Sequence, residues 1–254
     1  MGRVRYDETA ELRYSNRSAM KIVSFGDVHM ATRNLERMSE VLRDTDLIIM
    51  SGDLTNFGGT DDASKVLGDA RRAMAQFARD PATVEGSIDG AGRVLALPGN
   101  LDQREVIPFL EQEGVALHGR GMVIDGLAIF GCGGSNITPF KTPTELTEEE
   151  LTATLERGYR EVEGRRPLLM VCHTPPFETK CDRLVNGTPV GSKAVRRFIE
   201  EIKPEVCITG HIHESAGVDT VDTTKVLNAG PFKGGGYIVV RHNGGKLDAS
   251  LEFL

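Results

Sequence analysis

Five apolar runs in this chain each end in a small or polar residue and then in a side chain able to bind a metal. They read IVSFGDVH (22–29), LIIMSGD (47–53), VLALPGN (94–100), LLMVCH (168–173) and VCITGHIH (206–213). Each run has the length and composition of a buried strand. Open α/β sheets bind ligands beyond the carboxyl ends of their strands. Seven side chains therefore converge on one expected place: Asp27, His29, Asp53, Asn100, His173, His211 and His213.

The spacing adds detail. Asp27 and His29 are two residues apart, as are His211 and His213, so extended backbone would turn each pair to one side. Gly26, Gly52, Gly99 and Gly210 precede ligands and allow tight turns. Carboxylate, imidazole and amide oxygen suit first-row divalent ions. If Asp53 is shared, the seven side chains supply four ligands to each of two ions. Two such ions about 3.5–4 Å apart clamp an in-line displacement at phosphorus, and a coordinated water reaches a pKa of roughly 7. Any one histidine is more often structural than a ligand. The ordered set, each member at a strand end, points to a two-metal site.

In 254 residues there is length for one sizeable domain. The formal charge of −7 gives no basic excess of the kind that extended nucleic acid requires. No apolar stretch reaches membrane-spanning length, and the charged first twenty residues carry no signal core. Cys132, Cys172, Cys181 and Cys207 form no CxxC pair, which argues for free thiols in a reducing, cytoplasmic setting. Residues 1–19 are expected to form an N-terminal arm of unknown role, with the functional domain over 20–254.

Strands are expected at 21–25, 46–50, 93–97, 121–124, 127–131, 167–171, 205–209, 224–228, 236–241 and 246–253. Helices are expected at 33–43, 61–79, 103–112, 147–162 and 191–202. Thr147 and Glu150 have capping-box spacing, and Ser192 is placed to cap the last helix. Alternating strands and helices imply a mainly parallel sheet, and the consecutive strands of the last fifty residues imply antiparallel pairing. Together they suggest two sheets face to face with helices outside. Loops 54–60, 131–146, 174–190 and 229–235 would rim the site. Asn136 and Arg183 are candidate substrate contacts on them, with Lys141 and Lys180 as further options. His118 and His242 fall outside the pattern and are expected at the surface, and Lys193, Arg196 and Arg197 on a solvated helix face.

The ordered motifs Asp27-Val28-His29, Gly52-Asp53, Gly99-Asn100, His173 and Gly210-His211-Ile212-His213 resemble the calcineurin-like metallophosphoesterase superfamily. The text GCGGSNITPFKTPTE and GSKAVRRFIEEIKPEVCITGHIHES is similar to its bacterial and archaeal branch related to cyclic-AMP phosphodiesterases. The resemblance implies an α/β fold: a four-layer α/β/β/α sandwich of two mixed sheets flanked by helices. It implies two divalent ions, manganese foremost, with iron, zinc, nickel or cobalt as options. One would take Asp27, His29, Asp53 and His213, and the other Asp53, Asn100, His173 and His211. It also implies attack on phosphorus by a bridging hydroxide, with Asp53, Asn100 and His173 as catalytic residues.

One position departs from the pattern. Many members carry His after the Gly-Asn pair, where it is thought to protonate the leaving oxygen. This chain has Leu101, which transfers no proton, and Asp102 is the candidate substitute donor. The expected activity is phosphodiester hydrolysis on a small phosphoester, a nucleotide among the options. No membrane partner is expected, and a homodimer is one open arrangement. The alternatives are a phosphomonoesterase and a catalytically silent scaffold on the same fold. Retention of all seven ligands argues against the scaffold.

Overall fold

A computed structural model describes residues 20–77 and 93–254. The expected arm over 1–19 and the last two residues of the helix expected at 61–79 lie outside this range. The strands are β1 (Met20–Phe25), β2 (Leu47–Met50), β3 (Val94–Ala96), β4 (Gly121–Ile124), β5 (Leu127–Cys132), β6 (Ser135–Asn136), β7 (Glu145–Leu146), β8 (Leu168–Cys172), β9 (Val206–Thr209), β10 (Gly217–Val221), β11 (Thr224–Asn228), β12 (Gly236–Asn243) and β13 (Lys246–Phe253). The helices are α1 (Asn34–Arg37), α2 (Ser39–Leu42), α3 (Thr60–Phe77), α4 (Val106–Gln112), α5 (Glu148–Arg160) and α6 (Lys193–Ile202).

Two mixed sheets result, ordered β13-β12-β1-β2-β3 and β10-β11-β9-β8-β5-β4, with a small β6-β7 pair beside them. The apolar runs are continuous because both faces of their strands are buried. In β1, Val23 and Phe25 face one core while Met20 and Ile22 face another. In β8, Leu169 and Val171 share that second core, and Leu168, Met170 and Cys172 face a third. The middle core lies between the sheets. The outer cores join the first sheet to α1–α4 and the second to α5 and α6. This is the four-layer α/β/β/α arrangement.

Local signals account for several boundaries. The Thr147–Glu150 capping box opens α5, and the Ser192 hydroxyl accepts from the Val195 amide at the start of α6. The helix expected at 33–43 breaks at Met38 into α1 and α2. β10 was not expected, since it is half exposed and its Asp219 and Thr220 dilute the apolar signal. Its hairpin with β11 is antiparallel, yet β11 returns parallel to β9, so the C-terminal pairing is mixed rather than wholly antiparallel.

Candidate metal centre

The five ligand-bearing loops leave the carboxyl ends of β1, β2, β3, β8 and β9 at a common edge. The loop after β1 zips onto the loop after β2: the amides of Asp27, His29 and Met30 donate to the carbonyls of Gly52, Asp53 and Leu54 at 2.9, 2.9 and 3.1 Å. Close approach requires glycine here. A Cβ on Gly52 would lie 2.2 Å from Nδ1 of His173, and one on Gly99 would lie 2.0 Å from Oδ1 of Asp53.

The backbone differs from the extended geometry expected of the Asp-x-His and His-x-His pairs. Asp27, His29, Asp53 and His211 have φ of 50°, 46°, 47° and 68°, all left-handed. The side chains converge because of these turns, not by strand alternation. Strained non-glycine backbone of this kind concentrates where the surrounding structure holds a site in shape.

The imidazoles are oriented by carbonyls behind them. Nδ1 of His173 lies 2.8 Å from the Ser51 carbonyl oxygen, and Nδ1 of His29 lies 3.3 Å from that of Thr55. Each leaves Nε2 facing the centre, the usual arrangement of a metal-binding histidine. There, Nε2 of His173 lies 3.2 Å from Oδ1 of Asn100 and 3.7 Å from Oδ2 of Asp53. Nε2 of His29 lies 3.1 Å from Nε2 of His213, which itself lies 3.1 Å from Oδ1 of Asp27. The rings of His173 and His211 are 5.4 Å apart. Asn100 donates Nδ2 to the Thr142 hydroxyl, so its carbonyl oxygen faces inward. All seven expected ligands are thus brought to one place.

The donor set fits divalent cations. Asp27 and Asp53 are buried, and among the described residues their ionic partners are histidines, not lysine or arginine. Asp53 is pushed well up by burial, with the charges of Asp27 and Asp102 adding to it. Burial would also raise Asp27, but the His213 hydrogen bond and the surrounding imidazoles outweigh it and hold that carboxyl low. His211 is pushed down to about 3 by burial and by His173. His213 is raised, chiefly by its bond to Asp27. Mutually repelling buried carboxylates beside nitrogens directed at one point are what a bound cation would satisfy. Ligand atoms of Asp27, His29 and His213 lie within 4.8 Å of one another, and so do those of Asp27, Asp53 and His173. The second group brings Asp27 nearer to His173 than the expected division of ligands would.

A family description for calcineurin-like phosphoesterases matches residues 20–215. The chain belongs to this family. An uncharacterised protein of Methanocaldococcus jannaschii is 32% identical over 220 residues, 84% of this chain and 88% of that protein. A UPF0046 protein of Caenorhabditis elegans is 23% identical over 232 residues, 87% of this chain and 73% of its own. The crystal structure of TT1561 from Thermus thermophilus shares the fold, with a TM-score of 0.64 at 15% identity over 92% of this chain and 99% of that one.

Other calcineurin-like expectations fare differently. Asp102 is no free proton donor. Its carboxylate accepts from the amides of Leu54, Thr55 and Gly99 and from the Thr55 hydroxyl at 2.8–3.0 Å, and the side chain is fully buried. It ties the Asp53 loop to the Asn100 loop. The Leu101 amide in turn donates to Oδ1 of Asp53 at 2.8 Å.

Asn136 uses Nδ2 on the Val190 carbonyl, while its Oδ1 is buried with no hydrogen-bond partner among the described residues. The Arg183 guanidinium donates through Nε and Nη1 to the carbonyls of Thr179 and Gly187 within its own loop. Arg196 likewise is no merely solvated residue, since it donates to the carbonyls of Phe177 and Glu178.

His118 is buried rather than at the surface, because its Nδ1 accepts from the Gly133 amide at 3.0 Å. His242 is partly buried on β12.

Asn228 escaped the sequence reading. Fully buried, it donates Nδ2 to the carbonyls of Cys181, Gly210 and Ile212, and its Oδ1 accepts from the Gly230 amide. It therefore grips the backbone on both sides of His211. The signal was present: β11 is another apolar run ending in a polar residue with a glycine close behind.

Proposed function

We propose that this calcineurin-like protein is a dinuclear metal-dependent phosphoesterase acting on a phosphodiester. The observation that carries the reading is the convergence of Asp27, His29, Asp53, Asn100, His173, His211 and His213, with Nε2 of His29 and His173 directed inward by backbone carbonyls. When bound, two divalent ions, with manganese as first choice, supply acidification of water and positive charge against the phosphoryl oxygens.

The remaining work belongs to the chain. Asp53 is fixed by the Leu101 amide and lies within 3.9 Å of His29 and 3.7 Å of His173, the position of a shared ligand. Asn100 is held by Thr142 with its oxygen toward the phosphoryl site. Leu101 beside it offers no proton to a departing oxygen. Esters of acidic alcohols are therefore the favoured substrates, since general-acid help is worth about 10²–10⁴-fold to the others.

The buried thiols of all four cysteines support a reducing, cytoplasmic location. Among the described residues no helix is long and apolar enough to cross a membrane. The test is hydrolysis of bis-p-nitrophenyl phosphate against p-nitrophenyl phosphate by Mn²⁺-loaded protein. Faster cleavage of the diester supports the proposal; preference for the monoester assigns a phosphomonoesterase instead.

A further inference from the structure

The segment Asn100 to Arg104 does more than carry one ligand. On one side Asp102 holds Leu54 and Thr55, and Gln103 donates Nε2 to the Phe57 carbonyl and its amide to that of Gly58. On the other side Asn100 holds Thr142, and Arg104 donates to the carbonyls of Pro143 and Glu145. The loop after Asp53 and the loop after β5 are thereby fastened to either flank of Leu101.

Each loop presents a phenylalanine. Phe57 is 58% exposed with a left-handed φ of 58°, and Phe140 is 81% exposed. Neither sits on slack chain. The Thr55 hydroxyl, whose proton goes to Asp102, accepts from the Gly58 amide at 3.0 Å, and Glu145 accepts from Thr138 and from both the amide and the hydroxyl of Thr142. The Phe140 amide is itself held by the Thr138 hydroxyl at 3.1 Å. Two large rings are thus held in water by fastened loops on either side of Leu101, one of them on left-handed backbone.

We propose that Phe57, Leu101 and Phe140 form an apolar seat beside the metal centre for an aromatic ring system carried by the phosphoester substrate. This rests on the phosphoesterase reading and narrows its substrate class. It also accounts for leucine at position 101, where an apolar contact replaces a proton donor. Aromatic alcohols are acidic enough to leave without one, so ring and leaving group point to the same kind of ester.

Binding calorimetry on the Mn²⁺-loaded chain tests this without hydrolysis, using methylphosphonate, octylphosphonate and naphthylmethylphosphonate. The naphthyl compound is expected to bind at least ~10-fold tighter than either of the others. Phe57→Gly, which suits the left-handed backbone, and Phe140→Ser are each expected to remove most of that advantage. Methylphosphonate affinity and bound manganese should stay unchanged in both variants. Val123→Ser, on the exposed face of β4, serves as the control.

An octyl chain bound as tightly as naphthyl, an advantage that survives in the double variant, or no preference at all would overturn the seat. Ring-dependent binding by a protein that cleaves no phosphoester would keep the seat and reject the hydrolytic reading. Cleavage of small and aromatic esters alike, without ring-dependent binding, would do the reverse.

Discussion

Nδ1 of His173 lies 2.8 Å from the carbonyl oxygen of Ser51, one of the contacts that join the two sheets at the candidate metal centre. Ser51 ends the run of β2 in the first sheet, and His173 follows β8 in the second. The bond fixes the ring so that Nε2 meets Asn100 and Asp53. Other contacts of the same kind lead to specific consequences.

Asp102→Asn should be severely disruptive because the Asp102 carboxylate holds backbone amides of two loops together. An amide group would set its own N–H against the donors now facing the carboxylate. A loss of roughly 2–4 kcal/mol in stability is expected from thermal or urea unfolding. Manganese affinity should fall with it, because the Asp53 and Asn100 loops separate. A variant with unchanged manganese affinity would contradict this.

Asn228→Asp should impair the His211 side of the site. The substitution points carboxylate oxygens at the carbonyls of Cys181, Gly210 and Ile212. The chain should bind fewer manganese ions, by elemental analysis, than the unsubstituted protein under the same loading. Full occupancy would assign Asn228 to the core alone.

How far these roles were legible in the sequence differs by residue. The seven convergent side chains were readable because they follow five apolar runs, and both faces of those strands are buried, which keeps the runs unbroken. Asp102 and Asn228 were harder because their partners are backbone amides and carbonyls, which leave no residue-type signature. The left-handed turns at Asp27, His29, Asp53 and His211 were invisible for a related reason, since aspartate and histidine tolerate that region without announcing it. His118 went astray because a lone histidine gives no sign of the Gly133 amide that permits its burial.

His118 should make the fold acid-sensitive. Burial, with the nearby Arg157 charge, lowers it from 6.5 to about 4, and the Gly133 amide occupies its acceptor nitrogen. Between these values the unfolded chain takes up the proton and the folded chain does not, so stability falls as pH drops from about 6.5 to about 4. The contribution is about 3 kcal/mol across the window. His118→Gln should flatten that part of the urea-midpoint profile; an unaltered profile would count against it.

Leu101 should set the leaving-group dependence. Across a series of aryl and alkyl phosphodiesters, kcat/KM should fall steeply as the leaving-group pKa rises. Leu101→His should lift the alkyl esters by up to ~10²-fold and the aryl esters far less. A flat dependence in the parent chain would remove proton donation from the explanation.

The most direct measurement of the central claim is hydrolysis of bis-p-nitrophenyl phosphate by chelator-stripped protein as Mn²⁺ is restored. The expected result is activity that starts near zero and saturates at about two ions per chain, as a shared-carboxylate pair requires. Activity that is complete without added metal, or absent at every manganese concentration, would contradict a dinuclear phosphoesterase.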